Sequence, residues 1–509
     1  MKKILSGTLM AALIVAAGCN KKLDIENPNQ PTMEVFWETA NDAQQGVNSI
    51  YSTLHRGAVS RWMPMLYTIR ADEGMSASPW SDLANALDKF IQSDNNFGPV
   101  VDVWIDNYVG IFRANQVLDN VPNIQMDEAL KGRLLGEAKF LRAHHYFHLA
   151  SLWGNVPLQL TTSKPTDLPP TSTQSEVWAQ VEEDLSEAAA VLPEKYANAA
   201  DLGRVTKGAA YALLAKTYMQ QHKWEQALVP LEWLAEGPGA SIYELMPNFR
   251  GNFLVTTENN RESVFEWQFE ENTTERTDND VETPDHNYGS SIAQFLAPWG
   301  IGWSDGQALR WPVYEFLKET TTAGARDPRL EATYIFDSTD VRGPKFTMVY
   351  GRTFADRYGE DEKAIWFRKF LNDHWKNEEG YRSKNNYRFI RYADVLLMYA
   401  EVLNETGNTA KAYDYVDMVR ERAGLRKLSD VQPGLSKEAF LDNLKMERLK
   451  ELSGEGHRWN DLARWGDLGP QLANRDPGFA NFEVGKHEFL PIPQRDLDIN
   501  PNLEQNPGW

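Results

Sequence analysis

The run NYRFIRYADVLLMYAEVLNETGNTAKAYDYVDMVRERAGLRKLSDVQPGLSKEAFLDNLKMERLKELSGEGHRWNDLARW, residues 386–465, decides the fold. Ala393, Leu396, Leu397, Ala400 and Leu403 recur at three- and four-residue steps, so they share one helical face and leave Asp394 and Glu401 outside it. Gly407-Asn408 breaks the pattern. A second helix starts near Thr409, with Ala412, Val416 and Val419 at its contact positions and Ala423-Gly424 as its stop. Small alanines at 400 and 412 let two short antiparallel helices approach closely, which is how tetratricopeptide units are built. A third helix is capped by Ser436, whose hydroxyl can accept from the free amides of the next turn.

Upstream, the same period gives helices at about 41–55, 100–119, 127–152, 175–192 and 205–221, with another beginning near Trp224. Ala215 and Ala227 stand as far apart as Ala400 and Ala412, an internal echo of the hairpin. Between about 238 and 385 the helical period fails. Residues 262–270 alternate, placing Phe265, Trp267 and Phe269 on one side of a half-buried strand. The long Gly-, Asn-, Asp- and aromatic-rich segment beyond it is improbable in a compact body unless it serves a function. The expected fold is mostly α: a tetratricopeptide-like helical-repeat scaffold, with hairpins over about 100–235 and 386–465, and a loop-rich insertion carrying short strands over about 238–385.

The chain has 509 residues, 42% hydrophobic and 24% charged, which suits a packed body rather than a disordered one. Its formal charge of −20 repels phosphate backbones, so nucleic acid is not an expected partner. Residues 1–18 combine Lys2 and Lys3, an apolar stretch from Leu9 to Val15, and Ala16-Ala17-Gly18 before Cys19, the pattern of a lipoprotein signal peptide. Its removal takes away two lysines and no acid, moving the balance to −22. Cys19 is the only cysteine, so it has no disulfide partner, and carrying a lipid is its economical role. Residues 19–31, polar and proline-bearing, form a tether to a single body over 32–509.

Tyr288, Trp299, Trp303 and Trp311 crowd the insertion, and Trp80 lies in an early loop. Flat rings stack on the apolar face of a sugar while neighbouring Asn, Asp and Ser bond its hydroxyls. Gly300 and Gly302 permit a tightly turned, exposed presentation of Trp299 and Trp303. His144 and His148 have the spacing of a metal pair, but packed imidazoles are the expectation. Glu455, His457, Arg458, Asp461 and Arg464 suit an internal ion-pair network better than a catalytic cluster. Asp278-Asn279-Asp280 opens like a calcium loop without its glycine; no cofactor is expected, calcium being the one candidate. No phosphate loop, nucleophile elbow or His-Glu-x-x-His motif is present. Composition leaves open a lipid-anchored glycoside hydrolase, and a helical scaffold for protein partners only.

Arg391-Tyr392-Ala393-Asp394, Tyr399-Ala400-Glu401, Glu455-Gly456-His457-Arg458-Trp459, Asp461-Leu462 with Arg464-Trp465, Asn500-Pro501-Asn502 and Gln505-Asn506-Pro507-Gly508 follow in an order that resembles the SusD/RagB family of outer-membrane glycan-binding lipoproteins. The resemblance implies a non-catalytic, surface-exposed lipoprotein of the outer membrane. Such a protein captures oligosaccharide or polysaccharide and delivers it to a SusC-like TonB-dependent transporter. It also implies ligand loops in the two nonhelical segments, and hence a platform of Trp80, Tyr288, Trp299 and Trp303, with Asp72 and Asn287 as hydroxyl partners. The negative charge favours a neutral or weakly charged glycan.

Overall fold

A computed structural model describes residues 36–92, 94–271, 288–343 and 345–509. Cys19, Asn287 and Asp278-Asn279-Asp280 lie outside the described residues.

Ten helices form the scaffold: α1 (Ala40–Tyr51), α2 (Gly98–Asn120), α3 (Glu128–Leu152), α4 (Gln174–Val191), α5 (Lys207–Gln220), α6 (Trp224–Ala235), α7 (Tyr392–Glu405), α8 (Thr409–Arg422), α9 (Lys437–Leu452) and α10 (Arg458–Trp465). Their starts are written in cap residues. Asp127 accepts from the Leu130 amide, Thr206 from Ala209 and Ser436 from Ala439, while Thr173 and Glu176 close a capping box. The α7–α8 turn needs Gly407 at φ +85°. Packing runs neighbour to neighbour from α2 through α8, with α6 bridging the break in sequence by lying against α7. Ala215, Ala227, Ala400 and Ala412 are all fully buried, as close helix approach requires. The fold is the mostly helical repeat scaffold that the periodicity predicts.

Two local expectations change. Asp394 and Glu401 do not face solvent, because α7 is covered on every side: Asp394 meets Lys216 at 2.5 Å and Arg448 at 3.0 Å, and Glu401 takes the Arg464 guanidinium and the Trp465 indole N–H. The strand Ser263–Trp267 is buried on both faces rather than one. It pairs antiparallel with Tyr387–Arg391, a strand that leads into α7. Phe265 and Trp267 pack with Phe389 against His144, while Glu266 on the opposite side accepts from Asn386 at 2.9 Å.

Beyond Ser263–Trp267 the insertion is built from short helices, Ile292–Leu296, Trp311–Phe316, Pro328–Thr333 and Phe354–Tyr358, and from two-residue to three-residue strands. Val313, Phe316, Leu330, Tyr334, Phe336 and Phe367 give it a small core of its own. Gly74–Ser76 pairs antiparallel with Gly306–Ala308, and this pairing fixes the early loop that carries Trp80 to the insertion.

Candidate functional site

The loop after Ile292–Leu296 folds back on its own helix. Trp303 N–H donates to the Gln294 carbonyl at 2.7 Å, Asp305 N–H to Phe295 at 2.8 Å and Gly302 N–H to Pro298 at 2.9 Å. Gly300 has φ +80° with open space around it. Gly302 is required for a different reason: a Cβ there would lie 2.5 Å from the Gln294 carbonyl oxygen. Ser304, at φ +59°, is held by its Oγ, which bonds Trp366 Nε1 at 2.6 Å and Gln307 Nε2 at 2.9 Å. The turn is thereby pinned from both ends, and the two tryptophans it carries stay outside.

Trp80, Tyr288, Trp299 and Trp303 are 40, 46, 43 and 48% exposed, unusually high for rings of this size. Each rests on other rings. Trp303 packs edge to face on Phe295 at 4.8 Å and on Tyr381 at 5.6 Å; Phe295 touches Trp62 at 5.0 Å, and Trp62 touches Trp80 at 5.7 Å. Trp80 and Trp303 therefore belong to one continuous ring path across two segments far apart in sequence. Trp299 stands on Trp366 at 5.2 Å and Tyr358 at 6.0 Å, and Tyr358 Oη donates to the Trp299 carbonyl. Tyr288 is seated against His55 at 6.2 Å, and its carbonyl accepts from the Glu270 N–H at 2.8 Å. Beneath the path the Arg61 guanidinium lies 4.2 Å from the Trp62 ring and 4.5 Å from Phe295. Edge-to-face seating fixes ring orientation while much of each ring stays exposed, which is what stacking on a pyranose requires.

Asp72 is not a hydroxyl partner on this surface. It is completely buried, with Arg458 bidentate at 2.7 and 3.0 Å and Arg475 at 2.9 Å. Burial works to raise its pKa, but Arg458 and then Arg475 hold it below the usual carboxylate range. Trp311 is likewise structural, its indole N–H bonded to the Asp72 carbonyl.

The charged run in 455–464 forms the expected network. Arg391 is fully buried and bonds Glu455 at 2.7 Å, Glu451 at 3.0 Å and Glu262; Lys369 bonds Glu455 at 2.6 Å, and Arg448 bonds Asp461 at 2.8 Å. Burial lowers Lys369 to about 8, and His457 to about 4. The three histidines of α3 are buried. His145 sits between Thr53 and Asn107, each at 3.0 Å; His148 Nδ1 meets Tyr67 Oη at 2.9 Å, and its Nε2 lies 3.4 Å from His144 Nε2. Burial holds all three well below 6.5, so they are neutral packing residues.

Two family models match the chain: one described as "SusD family" over residues 261–509, the other as "Starch-binding associating with outer membrane" over 22–219. The chain belongs to the SusD/RagB family. SusD-like protein P25 of Formosa agariphila is 28% identical over 504 residues, covering 92% of each chain. Among solved structures, a SusD superfamily protein from Bacteroides vulgatus superposes with a TM-score of 0.80 at 29% identity, covering 93% of this chain and 100% of the other. A laminarin-binding SusD-like protein gives 0.75 at 28% identity, with the same coverage. Against this SusD/RagB frame, sequence reasoning finds the exposed rings and misses their supports, Trp62, Phe295 and Tyr381. One signal for Trp62 is a π-helical turn over Ala58–Trp62, a rare element concentrated at functional sites, which leaves no mark on hydrophobic periodicity.

Proposed function

We propose that this chain is a cell-surface lipoprotein that captures an oligosaccharide or polysaccharide on the Trp80–Trp303 ring path and delivers it, uncleaved, to a SusC-like TonB-dependent transporter. The observation that carries this reading is the set of four exposed rings seated on other rings within two nonhelical segments. Likeness to a laminarin-binding SusD-like protein over nearly the whole chain supports carbohydrate as the ligand class. Lipid attachment at Cys19 and delivery to the transporter rest on the sequence signal and on family membership. Capture without cleavage is supported by the two carboxyls of the Trp80 segment that burial raises; Asp82, nearer to Trp80 and half-buried, already accepts from the Gly98 amide at 2.8 Å. Burial raises Glu73 and Asp88 to about 7, as a general acid would need, yet they are 0 and 4% exposed, beyond the reach of a sugar lying on the rings. The test is incubation of the purified protein with a panel of glycans, following retention and reducing-end release together. Retention without release is expected; release of new reducing ends by pure protein would replace capture with hydrolysis.

A further inference from the structure

A second concavity lies among α9, α10 and the turn Pro470–Asn474, with a volume of about 530 Å³. Lys445, Arg458, Gln471, Asn474 and Arg475 line it, together with Asp442 and Asp467. Lys445 and Asp467 neutralise each other at 2.7 Å, and Asp442 is exposed to water. The two arginines are different. Both bond Asp72, so two guanidiniums share one carboxylate. Arg458 commits Nε and Nη2 to it, and its Nη1, on a side chain only 5% exposed, meets no acceptor. Arg475 commits Nη1 at 2.9 Å while its side chain stays 34% exposed, stacked 4.5 Å from the Trp311 ring. A buried guanidinium with an unmet donor beside a second, solvent-facing guanidinium offers charge-assisted donors to an anion, in a chain that is otherwise strongly acidic.

We infer that this concavity is a second ligand site, taking a single sugar carboxylate, the uronate class, against Arg475 and Arg458, with Gln471 and Asn474 available to the ring hydroxyls. A carboxylate fits better than a polyanion because Asp442 and Asp467 flank the two guanidiniums and would repel further negative charge. The inference rests on the glycan-capture reading for the sugar that carries the carboxylate. The site itself shares no residue with the ring path.

The probes are glucuronate, galacturonate, glucose and acetate, titrated by calorimetry into the full chain at low salt. Arg475 is the residue to change, since Arg458 is locked into the interior. Uronate should bind at least about tenfold tighter than glucose or acetate, and Arg475→Gln and Asn474→Asp should each weaken it by about tenfold, the scale of one charge-assisted hydrogen bond. Trp303→Ala should leave uronate binding unchanged. Far-UV circular dichroism and melting confirm that each variant is folded. The inference is overturned if uronate binds no tighter than glucose, if acetate matches it, if folded Asn474→Asp and Arg475→Gln both bind normally, or if Trp303→Ala abolishes it. Neutral glycans retained through Trp303 with no Arg475-dependent uronate binding would sink this site alone; no retention of any glycan through the rings would sink the capture reading.

Discussion

Gly302 stands directly against the carbonyl of Gln294, and the contact leaves no room for a side chain: a Cβ would lie 2.5 Å from that oxygen and 2.8 Å from Ala297 Cβ. The first neighbour is backbone, so relief requires the turn to move. Gly302→Ala should therefore shift Trp299 and Trp303 relative to Phe295 and Trp366, and weaken glycan binding at least about tenfold, since stacking depends on ring placement. The turn's own backbone bonds run to Gln294, Phe295 and Pro298. Normal far-UV circular dichroism with reduced retention is the expected pair of results; full retention would show that the turn does not position the ligand.

Arg391 ties the second strand of the buried pair to α9 through Glu451, to the segment before α10 through Glu455, and to the first strand's approach through Glu262. Replacing it by leucine leaves buried carboxylates short of a cation and should cost about 3–5 kcal/mol. By contrast Glu128→Gln, which removes an exposed pair with Lys131, should cost less than about 1 kcal/mol. Urea unfolding of both variants measures the difference through the midpoint at constant slope.

Acid should expose the histidine cluster. Burial first, then His148 and His145, holds His144 well below 6.5, so it is neutral when folded and takes up a proton on unfolding. Its contribution is therefore complete above pH 6.5 and is lost as pH falls below it. Glu73 and Glu379, raised to about 7 by burial, act in the opposite sense between 4.5 and 7, so the pH profile of the parent protein alone is a mixture. The clean quantity is the stability difference between parent and His144→Phe, which should shift toward the variant by up to about 1.4 kcal/mol per pH unit below 6.5. A difference independent of pH would mean that His144 carries its proton in the folded state.

Membrane attachment is testable through Cys19. Cys19→Ala should leave the membrane fraction and lose the lipid mass, and mild detergent extraction of the parent should co-purify a TonB-dependent transporter. Retention of an unlipidated Cys19→Ala protein in the membrane would place the anchor elsewhere.

Much of the scaffold is legible in sequence because its information is local. The α7–α8 hairpin follows from a three-and-four period broken by Gly407, and the start of α9 from the Ser436 hydroxyl. The fate of Asp72 is not local. Arg458 lies 386 residues away in sequence, and nothing near Asp72 distinguishes a surface loop acid from an interior one. The same holds for Asp394, whose partners Lys216 and Arg448 come from α5 and α9 and bury a position that α7 alone would show to solvent. The exposed rings were readable because tryptophans in Gly- and Asn-rich loops are conspicuous. Their seating was not, since Gly74–Ser76 meets Gly306–Ala308 only through a pairing that spans α2 to α6 and nearly half of the insertion.

The central claim is that the exposed rings hold the glycan. The measurement is calorimetry of Trp80→Ala, Tyr288→Ala, Trp299→Ala and Trp303→Ala against the glycan that the panel identifies. Loss of one stacking ring should weaken binding by about 1–2 kcal/mol, the scale of an aromatic contact and its buried area, with the helical signal unchanged. Affinity equal to the parent's in all four variants would contradict the account.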